Sequence, residues 1–182
     1  ESYLEDIDSV VSQYEKPILA GHSMGGALAQ LYALQDPDKL SGLVLVATGA
    51  KLRVADMVFD LLDTDFEGYL GAVEEFMFHK NTSRDLVEAS VVEVRKCPVL
   101  VIRRDFELCN AFNVMHRLKE IQIPTLIIVG AQDMMTPVKY SQYLHSQIEN
   151  SKLLVIENAG HSVMLEQFSK VNQEILSWAN NL

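Results

Sequence analysis

The 182-residue chain is poor in cysteine, in basic residues and in long apolar runs, and each shortage removes a class of protein. Two cysteines, Cys97 and Cys109, cannot make a disulfide framework, and their spacing matches no zinc pattern, so they read as reduced structural thiols. Only 15 Lys+Arg stand against 25 Asp+Glu, a formal net charge of −10 that argues against a nucleic-acid partner, because phosphate needs a basic face. The longest apolar runs, such as 125–129, have the length of a core strand, so no membrane span is expected. Internal repeats and low-complexity segments are also missing. What remains is 48% hydrophobic and 22% charged, the composition of a globular domain able to bury a sizeable core.

The chain opens at Glu1 without an initiator Met, already in a helical pattern of Tyr3-Leu4, Ile7, Val10-Val11 and Tyr14. That opening leads us to expect further residues upstream. Targeting therefore reads only as a default cytoplasmic expectation.

Short strands and helices alternate along the rest. Pro17–Ala20 reads as a buried strand ended by Gly21, and Ala27, Leu28, Leu31, Tyr32 and Leu34 follow at helical spacing until Asp36-Pro37. Leu43–Val46, Thr125–Val129 and Lys152–Ile156 are further β-branched runs, with helical stretches at 137–149 and 162–180. This is the pattern of an α/β fold with a parallel sheet flanked by helices.

The stretch 49–115 breaks the alternation. Helices are expected at 66–78 and 83–94, the latter begun by a capping-box-like Thr82-x-x-Asp85, and Pro98–Ile102 reads as a helix start rather than a strand. Two βα units of about thirty residues fall short of the Ser23-to-Asp133 distance by about fifty. The surplus is expected to be a helical cap at 49–115, inserted between core segments 1–48 and 116–182.

Gly21-His22-Ser23-Met24-Gly25 fits G-x-S-x-G, in which a serine sits on a tight strand-to-helix turn and the flanking glycines relieve its crowding. As a bare pattern it arises by chance in roughly one chain in twenty of this length. Its place between a strand and a helix carries the weight. The turn would lift the Ser23 hydroxyl above the sheet and aim the Met24 N–H, at a helix start, towards a developing oxyanion. Serine needs a base, and the base needs an orienting acid. Asp133 follows one strand and His161 the next, on the sheet edge where Ser23 emerges, and the order Ser…Asp…His is distinctive. Each residue also has a plainer reading: Ser23 as turn residue, Asp133 as helix cap, His161 as structural loop histidine. His22, His79, His116 and His145 lack such placement and read as solvated or packed. Phe59, Phe66, Tyr69, Phe76, Met77 and Phe78 read as cap core first and substrate pocket second.

With Pro17–Ala27, Ile123–Pro137 and Asn158–Ser162 in view, the chain resembles the α/β-hydrolase superfamily, specifically its capped serine hydrolases. The run Asp105-x3-Cys109-x2-Phe112-Asn113 resembles the return from a cap. The resemblance implies nucleophile Ser23, acid Asp133, base His161, the Met24 N–H as one oxyanion donor, no cofactor, and a small-molecule acyl substrate. It also implies N-terminal strands and a second oxyanion loop that are not found in this sequence, so edge pairing into a homo-oligomer is an expectation for the piece as written. Thr48 stands where some relatives carry an alternative acid, which favours Asp133. Ester hydrolysis is the leading expectation. Carbon–carbon bond hydrolysis or perhydrolysis on the same residues, and a non-catalytic binding protein or inactive fragment, are the alternatives.

Overall fold

A computed structural model describes residues 2–182. Helix α1 (Tyr3–Val11) begins at a capping box in which Ser2 and Glu5 satisfy each other's backbone N–H groups. Four parallel strands follow, β1 (Ile18–His22), β2 (Gly42–Val46), β3 (Thr125–Gly130) and β4 (Ser151–Ile156), side by side in that order. The connections carry α2 (Met24–Gln35) between β1 and β2 and α7 (Val138–Gln147) between β3 and β4. The expected strands are all present, and β1 is the edge of the sheet among the described residues.

Alternation along the strands builds two cores. Leu43, Leu45 and Ile127 face α1, α2 and α7, whereas Val44, Val46, Leu126 and Ile128 face the C-terminal helices α8 (Val163–Glu166) and α9 (Phe168–Ala179). Every residue of β2 and β3 is buried, as befits parallel strands covered on both faces. The helical stretch expected over 162–180 is broken at Gln167, whose φ −126° and ψ 41° leave the helical region.

Four helices lie between β2 and β3: α3 (Asp56–Thr64), α4 (Phe66–Met77), α5 (Arg84–Arg95) and α6 (Val99–Ala111). They close on an apolar cluster of their own, formed by Leu62, Tyr69, Leu70, Val73, Val91 and Ile102. Pro98 caps α6, so the run that follows it is helical as read, with Val99 and Ile102 packed into this helical layer and Leu100 and Val101 exposed. The Thr82 capping reading needs correction. Ser83 is the residue at the N-cap of α5, without a side-chain bond, and the Thr82 hydroxyl is engaged elsewhere. An antiparallel bridge between Lys51 and Asn113, with Val114 N–H donating to Ala50 C=O at 2.8 Å, ties the entry and exit of the four-helix stretch together.

Leu45 lies at the centre of the sheet with no exposure. Leu45→Ala should cost about 2–5 kcal/mol of unfolding free energy, read by urea denaturation, whereas Leu100→Ala, at an 80% exposed position, should cost far less.

Candidate active site

The loops following β1, β3 and β4 bring Ser23, Asp133 and His161 to one edge of the sheet. Ser23 has φ 52° and ψ −116°, a strained conformation for a residue with a side chain. Its N–H donates to Val46 C=O at 2.9 Å, so the β1–β2 ladder runs one residue beyond the strand. Its C=O accepts from the Thr48 hydroxyl at 2.8 Å and from the N–H groups of Gly26 and Ala27. Thr48 thus clamps the turn, a role that its position after β2 did not announce.

The glycine requirement differs from the motif reading. A Cβ on Gly21 would meet the Gly25 carbonyl oxygen at 2.2 Å, and one on Gly26 would meet the Thr48 side chain at 2.7 Å. A Cβ on Gly25 would meet nothing, so space demands glycine at 21 and 26 rather than at 21 and 25. Met24 opens α2, so its N–H belongs to the first turn, where no intrahelical carbonyl can accept it.

Asp133 and His161 form the buried half of the site, with side chains 0% and 2% exposed. His161 Nδ1–H donates to the two Asp133 oxygens at 3.0 and 3.2 Å, which leaves Nε2 free to accept a proton. The Met135 and Thr136 N–H groups donate to Asp133 Oδ1 at 2.9 and 2.8 Å, and the Thr136 hydroxyl donates to Oδ2 at 2.8 Å. Burial alone would raise the Asp133 pKa. The bonds from His161 and Thr136 outweigh it and hold the carboxyl below its ordinary value. Ser23 Oγ makes no hydrogen bond to His161, so the constellation is closed on its Asp133–His161 side and open on its serine side.

Sequence reasoning missed His22, which packs its ring against that of His161 with centroids 4.7 Å apart. Its Nε2–H donates to the His161 backbone carbonyl at 3.0 Å. Burial and the neighbouring His161 push its pKa down to about 4, so it is neutral at pH 7. Of the two readings open to it, His22 is packed rather than solvated, and its ring reaches from the end of β1 to the loop that carries His161. The signal available was its place beside Ser23, within a motif read only for its serine and glycines.

A cavity of about 340 Å³ opens at Ser23 between the sheet edge and the four-helix stretch. Tyr69, Phe76, Met77, Phe106, Met135 and Tyr140 line it, with Arg53 as its one charged side chain among the described residues. The aromatic cluster is thus divided: Tyr69, Phe76 and Met77 face the cavity, while Phe66 packs in the helical layer, stacked on Tyr69. Cys109 also reaches the wall, and burial followed by the Asp105 charge raises its thiol to about 11, keeping it protonated. No cluster of His, Cys, Asp or Glu able to hold a metal exists among the described residues. No helix among them is long and apolar enough to cross a membrane.

A parallel sheet with a strained serine at a strand-to-helix turn, and with acid and imidazole after successive later strands, defines the α/β-hydrolase class. The chain belongs to that superfamily: residues 1–167 match the family described as serine aminopeptidase, S33. It is 25% identical over 173 residues to the pimeloyl-[acyl-carrier protein] methyl ester esterase of Neisseria meningitidis serogroup C, covering 87% of this chain and 68% of that one. It is 31% identical to a proline iminopeptidase of Saccharolobus solfataricus, covering 92% of this chain and 63% of that one. A solved thermophilic esterase aligns with TM-score 0.87 and 33% identity over 98% of this chain and 70% of its own. An Exiguobacterium antarcticum esterase shares the fold at TM-score 0.90 and 23% identity, over 97% of this chain and 72% of its own. The chain thus spans between three fifths and three quarters of these relatives' lengths.

The depressed His22 pKa has a stability consequence. A histidine at 6.5 when unfolded and about 4 when folded favours the folded state fully above pH 6.5. That contribution, on the order of 3 kcal/mol, is lost as pH falls from 6.5 through 4. His22→Gln keeps an Nε2–H donor but cannot titrate, so urea melts between pH 6.5 and 4 should show a shallower loss of stability than wild type. Equal slopes would contradict the burial of His22.

Proposed function

We propose that the protein is a serine hydrolase that cleaves carboxylic esters through an acyl-enzyme. The observation that carries this reading is the strained Ser23 turn beside a fully buried Asp133–His161 pair. Ser23 Oγ would attack the ester carbonyl. His161 Nε2 would take the hydroxyl proton and return it to the leaving alcohol, and Asp133 would hold the ring in the Nδ1–H tautomer and balance the imidazolium. The Met24 N–H would be one oxyanion donor. Water would then attack the acyl-enzyme, with His161 again as base. The Ser23–His161 hydrogen bond is one that the proposed mechanism would close around the substrate.

The same reading divides the chain into an α/β core, 1–48 and 116–182, and a helical cap, 49–115. Its support is the separate apolar cluster of the four helices and the Lys51–Asn113 neck. The cap would supply the apolar wall on which the acyl group rests. The esterase names of several relatives agree with ester chemistry, and the proline iminopeptidase makes amide cleavage the arm to test against it.

A fluorophosphonate probe should label Ser23, and Ser23→Ala should abolish labelling. Esterase activity should fall by about 10⁴-fold or more in Ser23→Ala and by about 10⁴-fold in Asp133→Asn. A folded wild-type protein that leaves Ser23 unlabelled would defeat the reading.

The apolar cavity also predicts substrate ranking. p-Nitrophenyl esters of short fatty acids should be cleaved with higher kcat/KM than phosphorylated or polycarboxylate esters, and than proline p-nitroanilide. The reverse order would reassign the cavity.

A further inference from the structure

His161 sits in the loop between β4 and α8, and a loop by itself does not hold a side chain to within the tolerance that proton transfer needs. Its neighbours are anchored in two directions. Towards the sheet, Ala159 exchanges bonds with Gln132, its N–H donating to the Gln132 side chain at 3.1 Å and its C=O accepting from the Gln132 N–H at 3.0 Å. Towards the four-helix stretch, the anchor is one carboxylate. Glu166, at the end of α8, accepts the Gly160 N–H on Oε2 at 2.7 Å. Its Oε1 accepts the His79 N–H at 2.5 Å and the Thr82 hydroxyl at 2.6 Å.

These three donors come from segments about eighty residues apart in sequence, and the chain pieces they join are in contact. A Cβ on Gly160 would stand 2.9 Å from both His79 N and Phe78 C, so only glycine lets the His161 loop lie against 77–79. Two residues on, the link is repeated, with Ser162 N–H donating to Met77 C=O at 2.9 Å. Met77 and Phe76, at the end of α4, are walls of the cavity that opens at Ser23.

We infer that Glu166 is a positioning residue that latches the end of α4 to the His161 loop, so that the apolar wall and the imidazole share one carboxylate anchor. This rests on the proposed role of His161. A carboxylate suits the place because it offers acceptors only, and hydrogen bonds to a charged acceptor are about twice as strong as neutral ones. Glutamine does not substitute: whichever way its amide turns, its NH₂ faces a backbone N–H, either that of Gly160 or that of His79. Thr82→Val is the milder break, since it removes one hydroxyl donor and leaves both backbone donors in place.

The test compares Glu166→Gln, Thr82→Val and a control, Glu174→Gln, whose carboxylate pairs with Lys152 and Lys170 on the surface of α9. Two readouts are taken: kcat and KM on p-nitrophenyl butyrate, and the low-field proton resonance of His161 Nδ1–H, which needs no substrate. Glu166→Gln should lower kcat by roughly 10- to 100-fold with KM held within about twofold, and should shift or broaden the resonance. Thr82→Val should move both readouts the same way by less, and Glu174→Gln should move neither. A folded Glu166→Gln protein with wild-type kcat and resonance, or with a raised KM alone, overturns the latch. If Glu166→Gln does not fold, Thr82→Val decides by the same two readouts. Wild-type protein without esterase activity would defeat the hydrolase reading and leave the resonance to judge the latch.

Discussion

The backbone of Ser23 is the constraint around which the sheet edge is arranged. At φ 52° and ψ −116°, a residue with a Cβ costs on the order of 1–3 kcal/mol, and it persists only where its surroundings over-determine it. Three elements do so here. Strand β2 extends its ladder to the Ser23 N–H, Thr48 at the end of that strand holds the Ser23 carbonyl, and the first turn of α2 holds the same carbonyl from the other side. Gly21 and Gly26 are the spatial price of that clamp, since either Cβ would push into the turn or into Thr48. The strain is therefore borne by the sheet itself, which is also what puts Asp133 and His161 on the same edge.

Burial of Asp133 works by the opposite logic. A carboxylate with no side-chain exposure would be costly unpaired, yet its oxygens collect bonds from two N–H groups, one hydroxyl and one imidazole. The loop after β3 supplies three of those four donors, so the acid is solvated by its own turn before His161 arrives. His22 completes the arrangement from the side of β1. Because its ring is neutral at pH 7, an imidazolium at His161 would face one buried anion and no second cation. In the mechanism proposed above, that asymmetry would spare the imidazolium a like-charge neighbour.

Most of the sheet and the three proposed catalytic side chains were legible in the sequence because their signals are local. Short apolar runs mark β1 to β4, and Ser23, Asp133 and His161 each lie in the segment that follows a strand. The roles that were not legible act at long range. Thr48, His22 and Glu166 each touch partners far away in the chain, and no periodicity or spacing reports such a contact. Thr82 shows how a local rule misleads: its hydroxyl had the look of a cap, but a carboxylate 84 residues away outcompeted the helix start. The break of α8 from α9 at Gln167 was hidden because the apolar pattern runs on across it.

The four-helix stretch carries its own apolar cluster and meets the sheet through a narrow neck, where Leu52, Cys109 and Phe112 join the core of the α1 and α2 face. A layer built this way can change the residues of its inner wall without disturbing the packing of β2 and β3. What it cannot change freely is its height above the sheet edge, because Met77, His79 and Thr82 are tied by hydrogen bonds to the loop of His161. In the hydrolase proposed here, selection among acyl groups and alignment of the imidazole would be separated in sequence but joined in space. Substitutions in the wall on α3, α4 and α6 would then alter the proposed acyl seat, whereas substitutions within 77–82 would disturb the His161 loop as well.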